Sequence, residues 1–252
     1  NIFPIIEFIV NSNNTKFLIS GSQGIGKSTL IKFLKIIIEK HFKKKIMTLS
    51  LDDYYLNQNK RLKLAKKTHH LFKTRGVPGT HDINMMLNFF RNLKSRKFKR
   101  LKLPTFNKAI DDRFNKKKWY DLKKRPDVII FEGWCVGAKS EKNNTLKKTI
   151  NSMEKTKDQK QVWRKYVNYQ LKSKYKKLYS QLNCLIYLRA KNFSLLQKWR
   201  LKQERKLWIK SKVKSKIMSR EDVLNFMQTY QRITQNMFRN MPKYASIIFN
   251  LN

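Results

Sequence analysis

The sequence predicts an α/β fold, a doubly wound and mostly parallel sheet of about five strands flanked by helices. Three observations carry this. Five short apolar runs, at residues 16–20, 45–51, 127–131, 184–188 and 245–249, are rich in β-branched residues and lack polar alternation. That is the pattern of parallel strands covered on both faces. Stretches of helical periodicity separate the runs, as in βαβ units. A glycine-rich turn, Gly21 to Gly26, joins the first run to the first helical stretch. The chain has 252 residues, enough for one large core. No repeat or linker divides it. One domain over 1–252 is expected, with a helical lid or insertion at about 139–180.

Each element has its own warrant. Residues 1–10, with Glu7 and no basic start, read as a short amphipathic helix rather than a signal peptide. The first residue is Asn rather than Met, which leaves room for residues ahead of it. Residues 29–38 follow the glycine turn as an amphipathic helix. A helix over 82–93 follows the Gly76-Val-Pro-Gly79 turn. The polar stretch 139–160 reads as a loop, and 159–178 and 193–210 as basic helices. The last helix, 220–240, opens on the capping-box pattern Ser219-Arg-Glu-Asp222 and ends before Pro242.

Composition narrows the function classes. There are 58 Lys+Arg against 16 Asp+Glu, a formal charge of +42. Such a balance attracts polyanions or phosphorylated small molecules. The basic residues are spread over the whole chain and accompany abundant Asn and Ile, so a solvated, composition-driven surface explains them without a selected partner. There is no aromatic–basic RNA-binding signature, and no specific nucleic-acid partner is expected. Cys135 and Cys184 sit in apolar segments without paired spacing, and they read as reduced core thiols of a cytoplasmic protein. Four scattered histidines do not suggest a zinc site. No apolar run approaches the length of a membrane span, and no membrane partner is expected.

The chemistry is concentrated at three strand ends. Gly21-Ser22-Gln23-Gly24-Ile25-Gly26-Lys27-Ser28, followed by Thr29, fits G-x-x-x-x-G-K-[ST], and its strand-before, helix-after context makes the fold a P-loop NTPase. Glycines let successive N–H groups face an anion, with the positive end of a helix behind them. Lys27 is expected on the β- and γ-phosphates of ATP and Ser28 on Mg²⁺. The second strand ends in Ser50-Leu-Asp-Asp-Tyr-Tyr55. Carboxylates there can take a proton from an acceptor hydroxyl, hold Mg²⁺ through water, or merely cap a turn. The third run ends in Phe131-Glu-Gly133, where P-loop enzymes place a magnesium-associated acid, here Glu132.

Together these elements resemble small-molecule kinases of the uridine kinase, phosphoribulokinase and pantothenate kinase group. Gly76-Val-Pro-Gly-Thr-His-Asp82, Leu103-Pro-Thr-Phe-Asn-Lys108 with Asp112-Arg113, Phe131-Glu-Gly-Trp-Cys-Val-Gly137, Trp199-Arg-Leu-Lys-Gln-Glu204 and Tyr230-Gln-Arg-Ile-Thr234 before Met241-Pro are similar to the plant-type D-glycerate 3-kinase family. The likeness runs from about Ile19 to Leu251. The chain departs from it at Phe106-Asn107, where Tyr-Asp is expected, and at Ala109-Ile110-Asp111, where a Gly-rich approach is expected.

The resemblance implies an ATP-dependent kinase acting on a small hydroxy acid, most naturally D-glycerate. Its rivals are a kinase of the same fold acting on uridine, pantothenate or a sugar phosphate, and a nucleic-acid-associated NTPase. It implies Asp52 as the base, with Asp53 the runner-up, and Glu132 as the metal-side acid. His81, Asp82, Lys108 and Arg113 fall on the substrate and phosphate side, with Lys108 and Arg113 holding the carboxylate and Arg113 counted with Asp52 and Lys27 as catalytic. Arg200 and Arg205 fall on a lid-like helix, where a solvated face is equally open. Tyr54, Tyr55 and Trp134 are expected mainly to pack.

Overall fold

The computed structural model describes residues 2–96, 98–210 and 218–251, without the side chains of residues 207 and 210. All five predicted strands form, as β1 (Lys16–Gly21), β2 (Ile46–Ser50), β7 (Val128–Gly133), β8 (Cys184–Ala190) and β9 (Ile247–Leu251). They pair in parallel in the order β2-β7-β1-β8-β9. Successive residues face opposite sides of the sheet, as the two-residue strand period requires. Phe17, Ile19, Val128, Ile130, Ile186 and Leu188 enter one core beneath α1 (Phe3–Asn11) and α2 (Lys27–Phe42). Leu18, Ile129, Phe131, Leu185 and Tyr187 enter the other. The expected first helix seats Ile5, Ile6 and Ile9 in the former core, and Phe8 meets Phe17 edge-on.

Between β2 and β7 the chain makes an excursion that the apolar pattern did not reveal. It holds α3 (Gln58–Lys67), α4 (Ile83–Lys94) and two small antiparallel pairs. β3 (Leu101–Leu103) pairs with β6 (Tyr120–Leu122), and β4 (Phe106–Asn107) with β5 (Asp112–Arg113). These strands are two or three residues long, too short to produce a readable period. Asp82 caps α4 by accepting the Met85 N–H at 3.2 Å.

The stretch expected as a loop over 139–160 is partly helical. It contains a turn at Asn143–Leu146 and α5 (Ser152–Lys157), which Asn151 caps by accepting the Glu154 N–H at 2.9 Å. Its polarity concealed a buried network in which Glu154 and Glu141 hold Arg232 of α9 (Arg220–Asn240). The basic helix that follows is α6 (Val162–Gln170), a π-helical turn Leu171–Tyr175, and α7 (Lys176–Tyr179). Trp163, Val167, Leu171, Tyr175 and Leu178 pack into the sheet core, so this segment is anchored to the body of the fold. α8 (Phe193–Lys210) and α9 form where expected, and both halves of the Ser219–Asp222 capping box are made. Cys135 and Cys184 are buried and unpaired.

Candidate active site

Strand register assembles the site. Ser20 lies beside Gly133, and Ser50 beside Glu132, so the C-terminal ends of β1, β2 and β7 finish at one level. That is where an open α/β sheet presents its ligand crevice. After Gly21 the chain curls through Gly24 (φ 80°) and Gly26 (φ 96°) into α2. Gly26 is the N-cap, and no side chain accepts from the first helical turn. Those N–H groups therefore remain available to an anion. Lys27 folds back over the turn and its Nζ donates to the Ser22 carbonyl at 3.1 Å. Burial pulls the Lys27 ammonium below its ordinary value, against the opposing pull of the Glu132 and Asp52 carboxylates.

The glycine turn separates two clefts. One, of about 580 Å³, is lined by Gly24 through Thr29 together with Trp199, Lys202, Gln203, Lys206 and Leu251. The other, of about 810 Å³, has Gln23, Gly24, Lys27 and Ser28 on one side and Ser50, Asp52, Asp53, Lys108 and Glu132 on another. Lys27 and Ser28 belong to both. A phosphate chain lying along the turn from the first cleft would present its terminal group to the second.

In the larger cleft the acids are differentiated. The Ser50 hydroxyl donates to Glu132 Oε1 and accepts the Asp52 N–H at 3.3 Å. Asp52 Oδ2 accepts from Lys108 Nζ at 2.8 Å. Burial pushes the Asp52 carboxyl up, but the Lys108 ammonium and its hydrogen bond outweigh burial and hold it below the usual value. Asp53 is held above it, chiefly by burial, and its Oδ1 accepts the Phe106 N–H at 3.1 Å. Ser28 and Glu132 offer hard oxygen donors on one cleft, a donor set that fits Mg²⁺ completed by phosphate oxygens and water. No cluster of three or more His, Cys, Asp or Glu suited to a metal occurs among the described residues.

Several expected substrate residues lie behind the cleft wall. Arg113 donates to the Tyr55 carbonyl at 2.7 Å and to the Tyr54 carbonyl at 3.1 Å, and reaches Asp82 Oδ2 at 3.4 Å. Its guanidinium is spent on holding the 54–55 backbone, and Asp82 on capping α4. His81 is buried, stacked on Tyr55 at 4.3 Å between ring centroids, with Nδ1 2.6 Å from the Tyr175 hydroxyl. Burial pushes its pKa down to about 3, so it is neutral. Of this group only Lys108 lines the cleft. On α8, Arg200 lines the cleft and pairs with Glu204 at 2.6 Å, whereas Arg205 is exposed and lines neither cleft. Tyr55 and Trp134 are both packed and cleft-lining, and Tyr54 is packed only.

Sequence reasoning missed Lys73, Arg75, Asp111 and Tyr230, which also line the larger cleft. Arg75 immediately precedes the Gly76 motif. At Gly76 (φ 146°) a side-chain carbon would collide with the Tyr230 hydroxyl, while Trp134 Nε1 donates to the Gly76 carbonyl at 2.9 Å. The glycine motif therefore locks a turn that delivers Arg75 to the cleft.

No family model matches the chain. It is 30% identical over 242 residues to the kinase mug58 of Schizosaccharomyces pombe, described as uncharacterized, covering 93% of this chain and 81% of that one. It is 28% identical over 193 residues to the chloroplastic D-glycerate 3-kinase of Arabidopsis thaliana, covering 73% of this chain but 40% of the plant enzyme. Its fold matches a solved D-glycerate 3-kinase from Cryptococcus neoformans with a TM-score of 0.78 at 23% identity, over 99% of this chain and 95% of that one. With a glycine turn between two clefts, a lysine at their junction and paired acids opposite, the chain belongs to the D-glycerate 3-kinase family of P-loop, ATP-dependent small-molecule kinases.

Proposed function

We propose that the chain transfers the γ-phosphoryl group of ATP to a hydroxyl of a small hydroxy acid, with D-glycerate as acceptor and 3-phosphoglycerate as product. The observation that carries this reading is the meeting of two clefts at Lys27 and Ser28, with the Asp52–Lys108 pair facing that junction from the larger one. ATP fits the smaller cleft, its phosphates on the amides of residues 22–29 and on Lys27. Ser28 and Glu132 would hold Mg²⁺, which when bound neutralises charge on the phosphate oxygens. The acceptor occupies the larger cleft, where Lys73, Arg75, Lys108 and Arg200 offer cations to an anion beside the acids.

The acceptor oxygen forms a bond to phosphorus as the bond to the ADP oxygen breaks, and the hydroxyl proton passes to Asp52. Lys108 keeps that carboxylate ionised, so it is a weak base and a good orienting group. A loose phosphoryl-transfer transition state asks mainly for positioning and little early proton removal. Asp53 is less suited, because its carboxylate already accepts from the Phe106 backbone. Arg200 on α8 is the lid cation of this reading. The chain acts as one kinase domain, with 139–180 a helical insertion. No described helix is long and apolar enough to cross a membrane, and the two buried thiols fit a reducing compartment such as the cytoplasm.

The test is ATP consumption by the purified protein with D-glycerate, L-glycerate, uridine, pantothenate or ribulose 5-phosphate. D-glycerate is expected to be phosphorylated with its carboxylate intact. Robust use of uridine with none of D-glycerate would overturn the acceptor and leave the fold standing.

A further inference from the structure

We infer that Arg75 is the group that binds the carboxylate of the acceptor, and that Asp111 holds it in position for that task. This deepens the hydroxy-acid reading above and rests on it. A carboxylate-bearing acceptor needs a cation whose donors are free and whose place is fixed. Among the cleft cations, Lys27 sits on the phosphate turn and Lys108 is paired with Asp52. Arg200 is paired with Glu204 on α8. The family-derived candidate, Arg113, is consumed by backbone carbonyls.

Arg75 is paired as well, but with a carboxylate that it shares with a second guanidinium. Its Nη1 is ion-paired with Asp111 Oδ1, and its guanidinium lies 5.3 Å from the centroid of the Phe106 ring. Among the described residues Asp111 is the sole carboxylate partner of both Arg75 and Arg61, its other oxygen accepting from Arg61 Nη2 at 2.8 Å. Arg61 is wholly buried and further bound to the carbonyls of Leu56, Lys73 and Asp111. One negative charge against two positive ones leaves net positive charge, and the exposed share of it is on Arg75. The planar fork keeps Nε and Nη2 for a second carboxylate, and Arg suits that bidentate geometry better than Lys. The turn that carries Arg75 is locked at Gly76 by Trp134, Thr80 and Tyr230, so little freedom is lost on binding.

Asp111 has left-handed backbone, φ 55°, within the 109–111 stretch where a Gly-rich approach was expected. Asp tolerates that region better than most residues. The chain thus obtains the turn and, in addition, a carboxylate that aims Arg75.

The experiment compares D-glycerate with its neutral amide, glyceramide, as acceptors. Wild type should favour glycerate in kcat/KM by about 100-fold, the scale of a charge-assisted partner. Arg75→Met should collapse that ratio to near unity, mainly through the KM for glycerate, with the Kd for Mg-ATP measured by calorimetry unchanged. Arg75→Lys should retain part of the ratio and guards against misfolding of the Met variant. Asp111→Asn keeps the turn-tolerant shape and should lower the ratio without touching ATP affinity, a readout that a merely structural role would not move. Lys73→Met removes the neighbouring exposed cation, which also lines the cleft, and so tests the rival assignment. If wild type phosphorylates glycerate and both Arg75 variants keep the wild-type ratio, or if Lys73→Met alone collapses it, this inference is wrong while the hydroxy-acid reading stands. If wild type phosphorylates no hydroxy acid, the earlier reading fails first, and the wild-type measurement alone reveals it.

Discussion

The glycine-turn side of the larger cleft, the donor side of the proposed reaction, is made of backbone, and the facing side, proposed for the acceptor, of side chains. Around the glycine turn, the anion site follows from positive φ at Gly24 and Gly26 and from the uncapped first turn of α2. Only Lys27 and Ser28 add side-chain chemistry, and both lie on the turn itself. Across the cleft, the acids and cations come from the turn after β2, the end of β7, the β4–β5 hairpin, the segment before Gly76 and α8, residues far apart in sequence. On the first side the residues assigned by motif lie on the turn, whereas on the second Lys108 lines the cleft and His81, Asp82 and Arg113 stand behind its wall. A backbone site is encoded by residue type and order. A side-chain site depends on which way each side chain leaves its element, and a one-residue change of direction turns a ligand contact into a wall.

The contrast can be broken most forcefully on the donor side. Lys27→Ala should lower kcat by roughly 10³-fold, the upper scale for removing one preorganised donor to the transferring group. The Tm should change little. Turnover within about threefold of wild type would remove the phosphate-turn assignment.

On the acceptor side, Asp52→Asn should reduce kcat by about 10²-fold and leave the Kd for Mg-ATP nearly unchanged, since backbone amides carry nucleotide binding. Asp53→Asn should act mainly on stability, because its carboxylate supports the Phe106 N–H. Finding Asp53→Asn inactive and Asp52→Asn near normal would transfer the role.

Arg113→Ala separates wall from ligand. It strips the Tyr54 and Tyr55 carbonyls of their donor, and the expected cost is about 2–3 kcal/mol in denaturant unfolding. Glycerate and glyceramide should suffer alike. Selective loss of glycerate would restore Arg113 to the substrate side.

The smallest effect sharpens the electrostatics. With Lys108 present, the Asp52 carboxylate is held below its usual pKa, so the acid limb of the rate profile lies below the usual carboxylate range. Lys108→Met removes the lowering contribution and leaves burial, which raises the pKa. The limb should therefore move to higher pH. His81 should contribute no limb near neutrality, since burial holds it at about 3. A limb that stays in place in Lys108→Met would mean that another group governs it.

Much of the fold was legible because it is periodic. The five strands, α1, the start of α4, α8 and the capped α9 all announce themselves through apolar spacing or a cap. The two short hairpins at 101–122 and the helical turns at 143–157 did not, because their order comes from specific polar contacts rather than from a repeating face. The Glu154–Arg232 and Arg61–Asp111 ion pairs bridge 78 and 50 positions, and nothing local signals them.

By itself, then, the sequence determined the sheet, the phosphate turn and the acids at its strand ends. Each is set by local residue order, by how apolar residues repeat and where glycine permits positive φ. Tertiary structure alone decided which cations reach the cleft. Arg75, Lys108 and Arg113 look alike in a chain of 58 basic residues. What separates them is burial and partner. Arg113 satisfies two buried carbonyls, Lys108 neutralises Asp52, and Arg75 shares one carboxylate with Arg61 and keeps donors to spare. Such differences arise from desolvation and from the rule that buried polar groups find partners, and both act only once the chain has closed around them.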